Sequence, residues 1–470
     1  MKEAKVRIKN IKLQNFKNVG YGEIEFSKKQ NEQIYPADII GVYGQNGSGK
    51  TAVIDALHYV QVLLSGQSLD KDFVNYISYN QKTAKIEIVF LVEYTDIKYD
   101  VVYQISFEKN EDDEYYIQDE IITSSTIKAG KKSTKRLIEY TNKNDFFQPK
   151  VRYDEFVSKN KDIAIDLIVA KKIAEKNKCS YIFGSDSQKI YHKFTAQYKD
   201  ILKTDNELND MLRIIYALYY YSSINLFVLR NSHSAVIGAD FLLPVAFKMK
   251  DDEKVTKGDL VITFREPNLL DNEKFDILKH VIDQENIVIK QIIPGLELNI
   301  KDYGEQTLEN GKEGRKVDLL STRNGISIPI RYESEGIIKI ISILNALISA
   351  YNSSGICLAI DELDAGIYEY LLGELLGIFS DGAKGQLIFT SHNLRPLEVL
   401  KSNNVIFSTI NPQNRYIKLS KIKKNNNLRD VYLRAVSLDG QEEVLYEKTD
   451  NIKITRAFRN AAKVVLNEYK

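Results

Sequence analysis

The sequence has no tryptophan, only two cysteines, and no apolar run long enough to cross a membrane. Cys179 and Cys357 are far apart and belong to no metal-binding spacing, which argues against a disulfide scaffold or zinc module and favours a reducing compartment. The longest apolar stretch, Ile214–Leu229, has 16 residues, whereas a membrane-spanning helix needs about 20. The N-terminus has no apolar core of a secretory signal. We therefore expect a cytoplasmic protein without a membrane segment.

An excess of one charge is also absent. Among 470 residues, 65 are Lys or Arg and 64 are Asp or Glu, so the formal net charge is +1 and any contact with nucleic acid must come from local patches. Hydrophobic residues make up 43% of the chain, which excludes disorder as the main state. The length fits about three folding units, or one large α/β domain with an insertion.

Strand and helix patterns stand on both sides of a long central segment. Alternating apolar residues predict strands in residues 5–27, and a short apolar run predicts a buried strand at 37–43. Later, the apolar spacing predicts a helix at 337–350 and a buried strand at 356–360. Because this alternation resumes after the central segment, we expect one α/β core interrupted in sequence. The central segment itself has helical patterns at 162–178, 200–221 and 275–292, and strand patterns at 298–303 and 316–320.

The most specific motif is a glycine-rich loop that matches G-x-x-x-x-G-K-[ST] in full. Glycines let the backbone turn its N–H groups toward the β-phosphate of a nucleotide, and the helix that begins near Lys50 adds its dipole. Lys50 reaches the β- and γ-phosphate oxygens, and the Thr51 hydroxyl coordinates Mg²⁺. A glycine-rich turn with a surface lysine is the structural alternative. The loop consists of Gly44, Gln45, Asn46, Gly47, Ser48, Gly49, Lys50 and Thr51.

Two acids and a histidine follow the apolar strands of the second half. Asp361 and Glu362 come directly after the strand at 356–360. One carboxylate there can hold the Mg²⁺ shell, and the next can polarise water for attack on the γ-phosphate. His392 follows the next apolar strand, where it can contact the γ-phosphate and sense its loss. Solvated acids at a strand end and a capping histidine are the structural alternatives.

A short motif precedes the helix at 337–350. Ser334 can cap that helix, and Gly336 permits the close approach of another segment. The residues alone leave two interpretations open, a plain helix N-cap or an anion site offered to a nucleotide held by another subunit. The position of Ser334, 27 residues before Asp361, favours the second.

Basic residues cluster at 128–136 and at 415–424. Either cluster can meet the phosphate backbone of DNA or RNA. A solvated loop or strand face is the alternative, and we favour it.

Along the chain, the glycine-rich loop is followed by a long insertion, then by Ser-x-Gly before a helix, by Asp-Glu and by the histidine. This order of motifs resembles that of the ABC-type ATPases, and it is closer to the SMC, RecF and OLD branch than to transporter subunits. Ile11–Lys17, with its Asn-Phe-Lys, is similar to the first strand of that branch, and Asp361–Gly366 resembles the Walker B motif and D-loop of OLD-like and abortive-infection ATPases. The resemblance implies an α/β fold, an ABC-type P-loop ATPase head with a mixed sheet and an antiparallel lobe, interrupted by a mainly helical insertion. The implied divisions are a first lobe at 1–125, the insertion at 126–330, a second lobe at 331–424 and an extension at 425–470.

The resemblance also implies the ligands and the roles of single residues. ATP and Mg²⁺ are the implied cofactors, with Asp361 as the Walker B acid and Glu362 as the catalytic base or water-polarising group. Asp364 belongs to the D-loop, and His392 is the switch histidine. Gln81, which precedes a strand of the first lobe, is the candidate for the metal-binding Q-loop glutamine.

Ser334 and Gly336 stand where the family carries the signature that completes the site of a second subunit. The resemblance therefore implies a homodimer or higher homo-oligomer with two ATP molecules between its heads. No long coiled coil is present, and the 78 residues after His392 are too few for a Toprim nuclease. Stand-alone ATPases of this shape resemble those of anti-phage systems such as Septu, PARIS and abortive-infection pairs, which implies a separate nuclease or toxin as effector. The alternatives are a RecF-like DNA-repair ATPase that binds DNA directly, and a nucleotide-binding scaffold with little hydrolysis.

Overall fold

The computed structural model describes residues 4–26, 37–128, 131–142, 161–197, 206–230, 243–251, 254–263, 266–308, 311–419, 427–438 and 443–467. The strands in these ranges are β1 (Lys5–Phe16), β2 (Val19–Glu25), β3 (Asp38–Tyr43), β4 (Thr83–Glu93), β5 (Lys98–Lys109), β6 (Tyr115–Lys128), β7 (Lys131–Thr141), β8 (Leu226–Leu229), β9 (Leu243–Asp251), β10 (Lys254–Ile262), β11 (Asn268–Asp271), β12 (Leu296–Thr307), β13 (Glu313–Arg323), β14 (Ile326–Pro329), β15 (Cys357–Ile360), β16 (Gln386–Thr390), β17 (Val405–Ser408) and β18 (Tyr416–Ile417). The helices are α1 (Lys50–Leu64), α2 (Lys161–Asn177), α3 (Ser185–Gln197), α4 (Asn206–Tyr220), α5 (Asn272–Ile292), α6 (Glu335–Asn352), α7 (Glu369–Gly382), α8 (Pro396–Val399), α9 (Leu428–Leu438) and α10 (Asn451–Asn467).

An antiparallel sheet forms the first lobe, with the strand order β2-β1-β4-β5-β6-β7. Its strands bury alternate residues. In β4, Ile86, Ile88 and Phe90 are fully buried, while Lys85 and Glu87 remain partly exposed. This period of two is the pattern that the sequence predicted for the first lobe.

The central sheet has the order β18-β17-β3-β16-β15-β8, and all its strands except β18 run parallel. Parallel strands covered on both faces are continuously apolar, and every residue of β15 and β16 is buried. Alternate residues of β3 belong to two separate cores, with Ile40 and Val42 in one and Ile39 and Tyr43 in the other.

The two cores explain how the layers pack. The first core joins the antiparallel sheet, α1, the helices α2–α4 and one face of the central sheet. The second core joins the opposite face of the central sheet to α5, α6, α7 and the hairpin β12–β13. The helix that follows the glycine-rich loop, α1, packs against strands of both sheets. No helix in the described ranges combines the length and the apolar character that crossing a membrane requires.

The segment 126–330 differs from the expectation of a mainly helical insertion. Its described part contains the helices α2–α5 and also the strands β7–β14. The hairpin β12–β13 buries alternate apolar residues such as Leu298 and Val317 against α5, and it contains the strand patterns predicted at 298–303 and 316–320. Nor is the segment separate from the core, because β8 pairs in parallel with β15 at the edge of the central sheet. The boundary at residue 126 falls within β6.

Candidate functional site

The central sheet brings three predicted motifs to one edge. Because β3, β16 and β15 are adjacent and parallel, the loops after their carboxyl ends are neighbours. The glycine-rich loop follows β3, the acids Asp361 and Glu362 follow β15, and His392 follows β16. A cavity of about 460 Å³ lies among them, lined by Lys17, Asn18, Asn46, Gly47, Gly49, Lys50, Thr51, Ala52, Glu362, Thr390 and His392.

The glycine-rich loop needs its glycines for two different reasons. Gly47 has φ of +78°, but a Cβ there would meet nothing within 4 Å, so backbone conformation alone requires glycine. A Cβ at Gly44 would lie 2.0 Å from Ser408 Oγ, so there the space is also missing. Gly49, with φ of +89°, turns the chain into α1. The loop N–H groups and the start of α1 thus form the backbone arrangement that binds phosphate.

Lys50 is folded over this loop. Its Nζ donates hydrogen bonds to the carbonyl oxygens of Gly44, at 2.9 Å, and Gln45, at 3.0 Å. Burial lowers the pKa of Lys50, and the negative charges of Asp361, Glu362 and Asp364 oppose that shift. The ammonium group therefore faces both the cavity and the acids after β15.

The side chains of Thr51 and Asp361 lie next to each other beside the glycine-rich loop. Thr51 Oγ1 donates to Asp361 Oδ1 at 3.3 Å, and Thr390 Oγ1 donates to the same oxygen at 2.6 Å. Asp361 Oδ2 is buried and has no hydrogen-bond partner among the described residues. A hydroxyl and a free carboxylate oxygen side by side are hard oxygen ligands that fit Mg²⁺. No group of three or more His, Cys, Asp or Glu in the described ranges could hold a metal.

Glu362 lies in a turn with an unusual backbone. Its φ is +49°, in the left-handed region that non-glycine residues seldom adopt. Its N–H donates to Thr390 Oγ1 at 2.7 Å, and its carbonyl oxygen accepts a hydrogen bond from Lys339 Nζ. Its side chain lines the cavity. The carboxylate of Glu362 thus shares the cavity with Lys50 and His392.

Asp364 and His392 are linked through the backbone. Asp364 Oδ2 accepts from the N–H groups of His392, at 3.1 Å, and Asn393, at 3.0 Å. Asp364 Oδ1 is buried and unpartnered within the described part of the chain. A second cavity of about 330 Å³ is lined by Asn46, Glu362, Asp364, Ala365 and His392. Asp364 therefore fixes the loop that carries His392.

Three predicted residues, Ser334, Gly336 and Gln81, belong neither to the glycine-rich loop nor to the acidic turn after β15, and they line neither cavity. Ser334 is exposed and caps α6, with its Oγ accepting from the N–H of Ile337 at 3.4 Å. Gly336 is buried, and a Cβ there would lie 1.9 Å from the carbonyl oxygen of Gly366. Gln81 lies before β4, where its Oε1 accepts from Asn15 at 3.5 Å in an exposed contact. The structure thus gives Gln81 a surface contact, not a place beside Thr51.

Several residues that brace the glycine-rich loop were missed by sequence reasoning. Asn18 donates to the carbonyl of Gly47, and Tyr416 Oη donates to the carbonyl of Gly49 at 2.7 Å. Lys17 pairs with Asp55 of α1 at 2.7 Å. The Asn-Phe-Lys motif at residues 15–17 was the only sequence signal for this contact. The other contacts join residues too distant in sequence to be paired by inspection.

Arg415 does not belong to the exposed basic cluster predicted at 415–424. This side chain is only 5% exposed and donates to the carbonyl oxygens of Thr409 and Asn18, so it supports the loop instead of facing nucleic acid. Residues 420–424 lie outside the described ranges. In the cluster at 128–136, Lys135 pairs with Glu207 and Arg136 with Glu139. The side chains of residues 128, 131 and 132 lie outside the described part.

The chain matches two models of known protein families. A family model described as "AAA domain" matches residues 10–292, and one described as "AAA domain, putative AbiEii toxin, Type IV TA system" matches residues 241–398. No curated protein matches the chain.

Among solved structures, the chain is similar to the Smc head domain of Pyrococcus furiosus with an extended coiled coil, bound to the C-terminal domain of ScpA. The two are 14% identical with a TM-score of 0.39, over 88% of this chain and 96% of that one. The SMC head domain from Thermotoga maritima is 14% identical with a TM-score of 0.35, over 88% and 100%. The recombination mediator protein RecF-ATPrS in the RecFOR pathway is 13% identical with a TM-score of 0.36, over 88% and 99%. Because the first family model spans more than half of the chain, the protein belongs to the AAA domain family and is an ATPase.

Proposed function

We propose that this ATPase hydrolyses ATP with Mg²⁺ at the edge of the central sheet and uses the reaction to switch conformation. The observation that carries the proposal is the convergence of Lys50, Thr51 and Glu362 on one cavity, beside the unpartnered Oδ2 of Asp361. The loop N–H groups and Lys50 hold the phosphates, and Thr51 and Asp361 hold the cation. Mg²⁺, when bound, neutralises charge on the β- and γ-phosphate oxygens.

The residues of the turn after β15 support a role for water as nucleophile. The Glu362 carboxylate is the group placed to orient and polarise a water molecule for in-line attack on the γ-phosphate. His392, on the opposite loop, contacts the γ-phosphate, and Asp364 holds that loop through two backbone N–H groups. Loss of the γ-phosphate therefore releases a contact that is tied directly to the acidic turn.

The start of α6 supports a site shared between two chains. Ser334 is exposed, and neither it nor Gly336 is among the residues that line the cavity of their own chain. The free N–H groups and the dipole at a helix start favour an anion. We propose that α6 of one chain faces the phosphates held by a second chain, so that two heads close on two ATP molecules as a homodimer.

For the biological role we propose a sensor or scaffold of an anti-phage system that acts with a separate nuclease or toxin. The description of the second family model, which names a putative AbiEii toxin, supports this direction. A RecF- or SMC-like ATPase that binds DNA directly is the alternative. Burial of Arg415 and the pairing of Lys135 and Arg136 with carboxylates weaken the basic patches on which that alternative depends. Salt-sensitive DNA binding by the isolated protein would favour it.

The hydrolysis of ATP by purified protein tests the site, with Lys50→Ala and Glu362→Gln beside the wild type. We expect Mg²⁺-dependent turnover that falls at least about a hundredfold in both variants, because one loses a phosphate contact and the other its water-polarising group. The molecular mass of the Glu362→Gln variant in solution should double on addition of ATP, because ATP that is not hydrolysed keeps the two heads together. Gln81→Ala, outside the cavity, is the control and should keep its rate. ATP binding without turnover in the wild type, and no effect of Glu362→Gln, would leave only a nucleotide-binding scaffold.

A further inference from the structure

A buried lysine that the proposed mechanism does not use lies against the acidic turn after β15. Lys339 lies on α6, five residues after Ser334, and is only 7% exposed. Lysine is rarely buried unless it is paired. Its Nζ donates a hydrogen bond to the backbone carbonyl of Glu362. Burial lowers the pKa of Lys339, and the negative charges of Asp364, Glu362 and Asp361 oppose this shift. The positive charge of the amine is thus within electrostatic range of all three acids of the turn.

The bond formed by Lys339 restrains the backbone of Glu362, while the carboxylate stays in the cavity. Glu362 has a left-handed φ of +49°, a conformation that persists only where surrounding contacts hold it. Its N–H is held by Thr390 Oγ1 at 2.7 Å, and the carbonyl by Lys339. The N–H of Ala365 also donates to that carbonyl, at 3.0 Å. The two side-chain contacts therefore grip the peptide groups on both sides of the Glu362 Cα.

The same helix is in close contact with the rest of the turn. Gly336, one turn before Lys339 on α6, approaches Gly366 so closely that a Cβ would meet its carbonyl oxygen at 1.9 Å. Gly366 itself has φ of +76°. The start of α6 and residues 361–367 therefore pack as one unit, with Gly336 at one end of the contact and Lys339 at the other. A shift of the helix start must be accompanied by a shift of the Glu362 backbone.

We propose that Lys339 is a positioning residue that fixes the Glu362 turn to α6 and so couples the start of this helix to the water-polarising carboxylate. The inference rests on the proposed hydrolysis at Glu362. In the closed dimer, contact of α6 with the nucleotide of the second chain would adjust Glu362 in its own chain. Lys339 is not among the residues that line the cavity, so we expect it to act on the rate of the chemical step and not on ATP binding.

The test compares Lys339→Met with the wild type for kcat, KM, the Kd of a fluorescent ATP analogue and thermal unfolding. Met is unbranched and fills most of the space of the lysine side chain, but it ends one atom earlier and cannot donate a hydrogen bond. We expect kcat to fall at least about tenfold, because a misplaced catalytic group loses the aligned geometry. The Kd should stay within about twofold, since the phosphate contacts are intact. Lys339→Arg, which keeps a donor, should recover part of the lost kcat.

A second buried lysine provides the matched control. Lys171 on α2 is 5% exposed and contacts Glu175 and the Tyr140 ring, away from the site. Lys171→Met should change thermal stability and leave kcat unchanged. If Lys339→Met does not fold, Lys339→Gln, which is polar but one bond shorter, must show the same loss of kcat. A wild-type kcat in any folded variant without the amine overturns the proposal while the proposed function stands. Absence of turnover in the wild type, with Glu362→Gln equally inert, overturns both.

Discussion

At the scale of single residues, the site depends on hydroxyl groups as much as on charges. Thr390, the last residue of β16, is fully buried. Its Oγ1 donates to Asp361 and accepts from the N–H of Glu362, so one oxygen holds the cation ligand and the water-polarising residue in register. Such bridging groups are costly to remove, because each buried partner is left without its hydrogen bond.

Thr390→Val keeps the shape of the side chain and removes this oxygen. We expect a loss of about 1–3 kcal/mol in the free energy of unfolding, because the N–H of Glu362 and the buried carboxylate of Asp361 each lose a hydrogen bond. The rate of ATP hydrolysis should also fall about tenfold or more, because both acids lose their alignment. Urea denaturation and steady-state hydrolysis measure the two effects. Thr390→Ser, which keeps the hydroxyl, is the control, and equal losses in the two variants would contradict the role of the bridge.

Glu285, far from the cavity in sequence, is a buried acid on α5. Its Oε1 has no hydrogen-bond partner within the described ranges. Burial raises the pKa of Glu285 well above 4.5, and a hydrogen bond with Asn345 of α6 opposes the shift only in part. The folded protein therefore holds the proton more tightly than the unfolded chain. The contribution of protonated Glu285 to the free energy of unfolding is complete below about pH 4.5. It is lost as the pH rises from there through the raised pKa of the folded protein.

Glu285→Gln imitates the protonated acid at every pH. At pH 5 its free energy of unfolding should stay close to that of the wild type, and at pH 8 it should be higher by about 1–3 kcal/mol, because no charge is then buried. Urea denaturation at the two pH values measures the difference. Glu297→Gln, at an exposed residue that pairs with Lys290, should show no such change. An equal change in the free energy of unfolding at both pH values would contradict the raised pKa of Glu285.

At the scale of elements, α6 is the helix on which the account depends most. Its first turn combines an exposed cap at Ser334 with a buried contact at Gly336, and its second turn supplies Lys339. The short distance between Gly336 and Gly366 leaves no room for a Cβ, and the obstructing atom is a backbone oxygen that cannot rotate away.

Gly336→Ala should therefore separate α6 from the acidic turn. We expect a loss of about 1–3 kcal/mol in stability from this overpacking, with reduced ATP hydrolysis in whatever fraction folds. Gly355→Ala is the matched control, because its Cβ would meet nothing closer than 3.9 Å. Thermal unfolding of both variants decides the matter. Identical melting temperatures would mean that α6 and the turn do not pack as described.

Motifs that are local in sequence could be predicted, and contacts between distant residues could not. The glycine-rich loop and the Asp361–Glu362 pair each lie within a few residues, so strand, turn and chemistry are visible together. By contrast, Gln386 pairs both backbone groups of Ile8, and Arg7 donates to the carbonyls of Ser354 and Lys384. These contacts join β1 to the central sheet across more than 340 residues, and no sequence pattern announces them.

At the scale of the whole molecule, the predicted α/β class with an antiparallel lobe and a mixed sheet is confirmed. The strands within 126–330 were predicted only in part. The strand patterns at 298–303 and 316–320 fall within β12 and β13, but both strands extend further, and β7, β9 and β10 were not predicted. The segment 126–330 contributes to the core of the molecule in two places. It adds β8 to the edge of the central sheet and covers α6 with α5 and a small sheet.

The central claim is that one active site draws its residues from two chains, Lys50 from one and Ser334 from the other. Heterodimers of Lys50→Ala and Ser334→Arg chains, purified through two different tags, contain one site with both defects and one with none. We predict that each variant alone is inactive and that the heterodimer recovers about half of the wild-type rate of ATP hydrolysis. A heterodimer no faster than the sum of its parents, or a fully active Ser334→Arg protein, would contradict the claim.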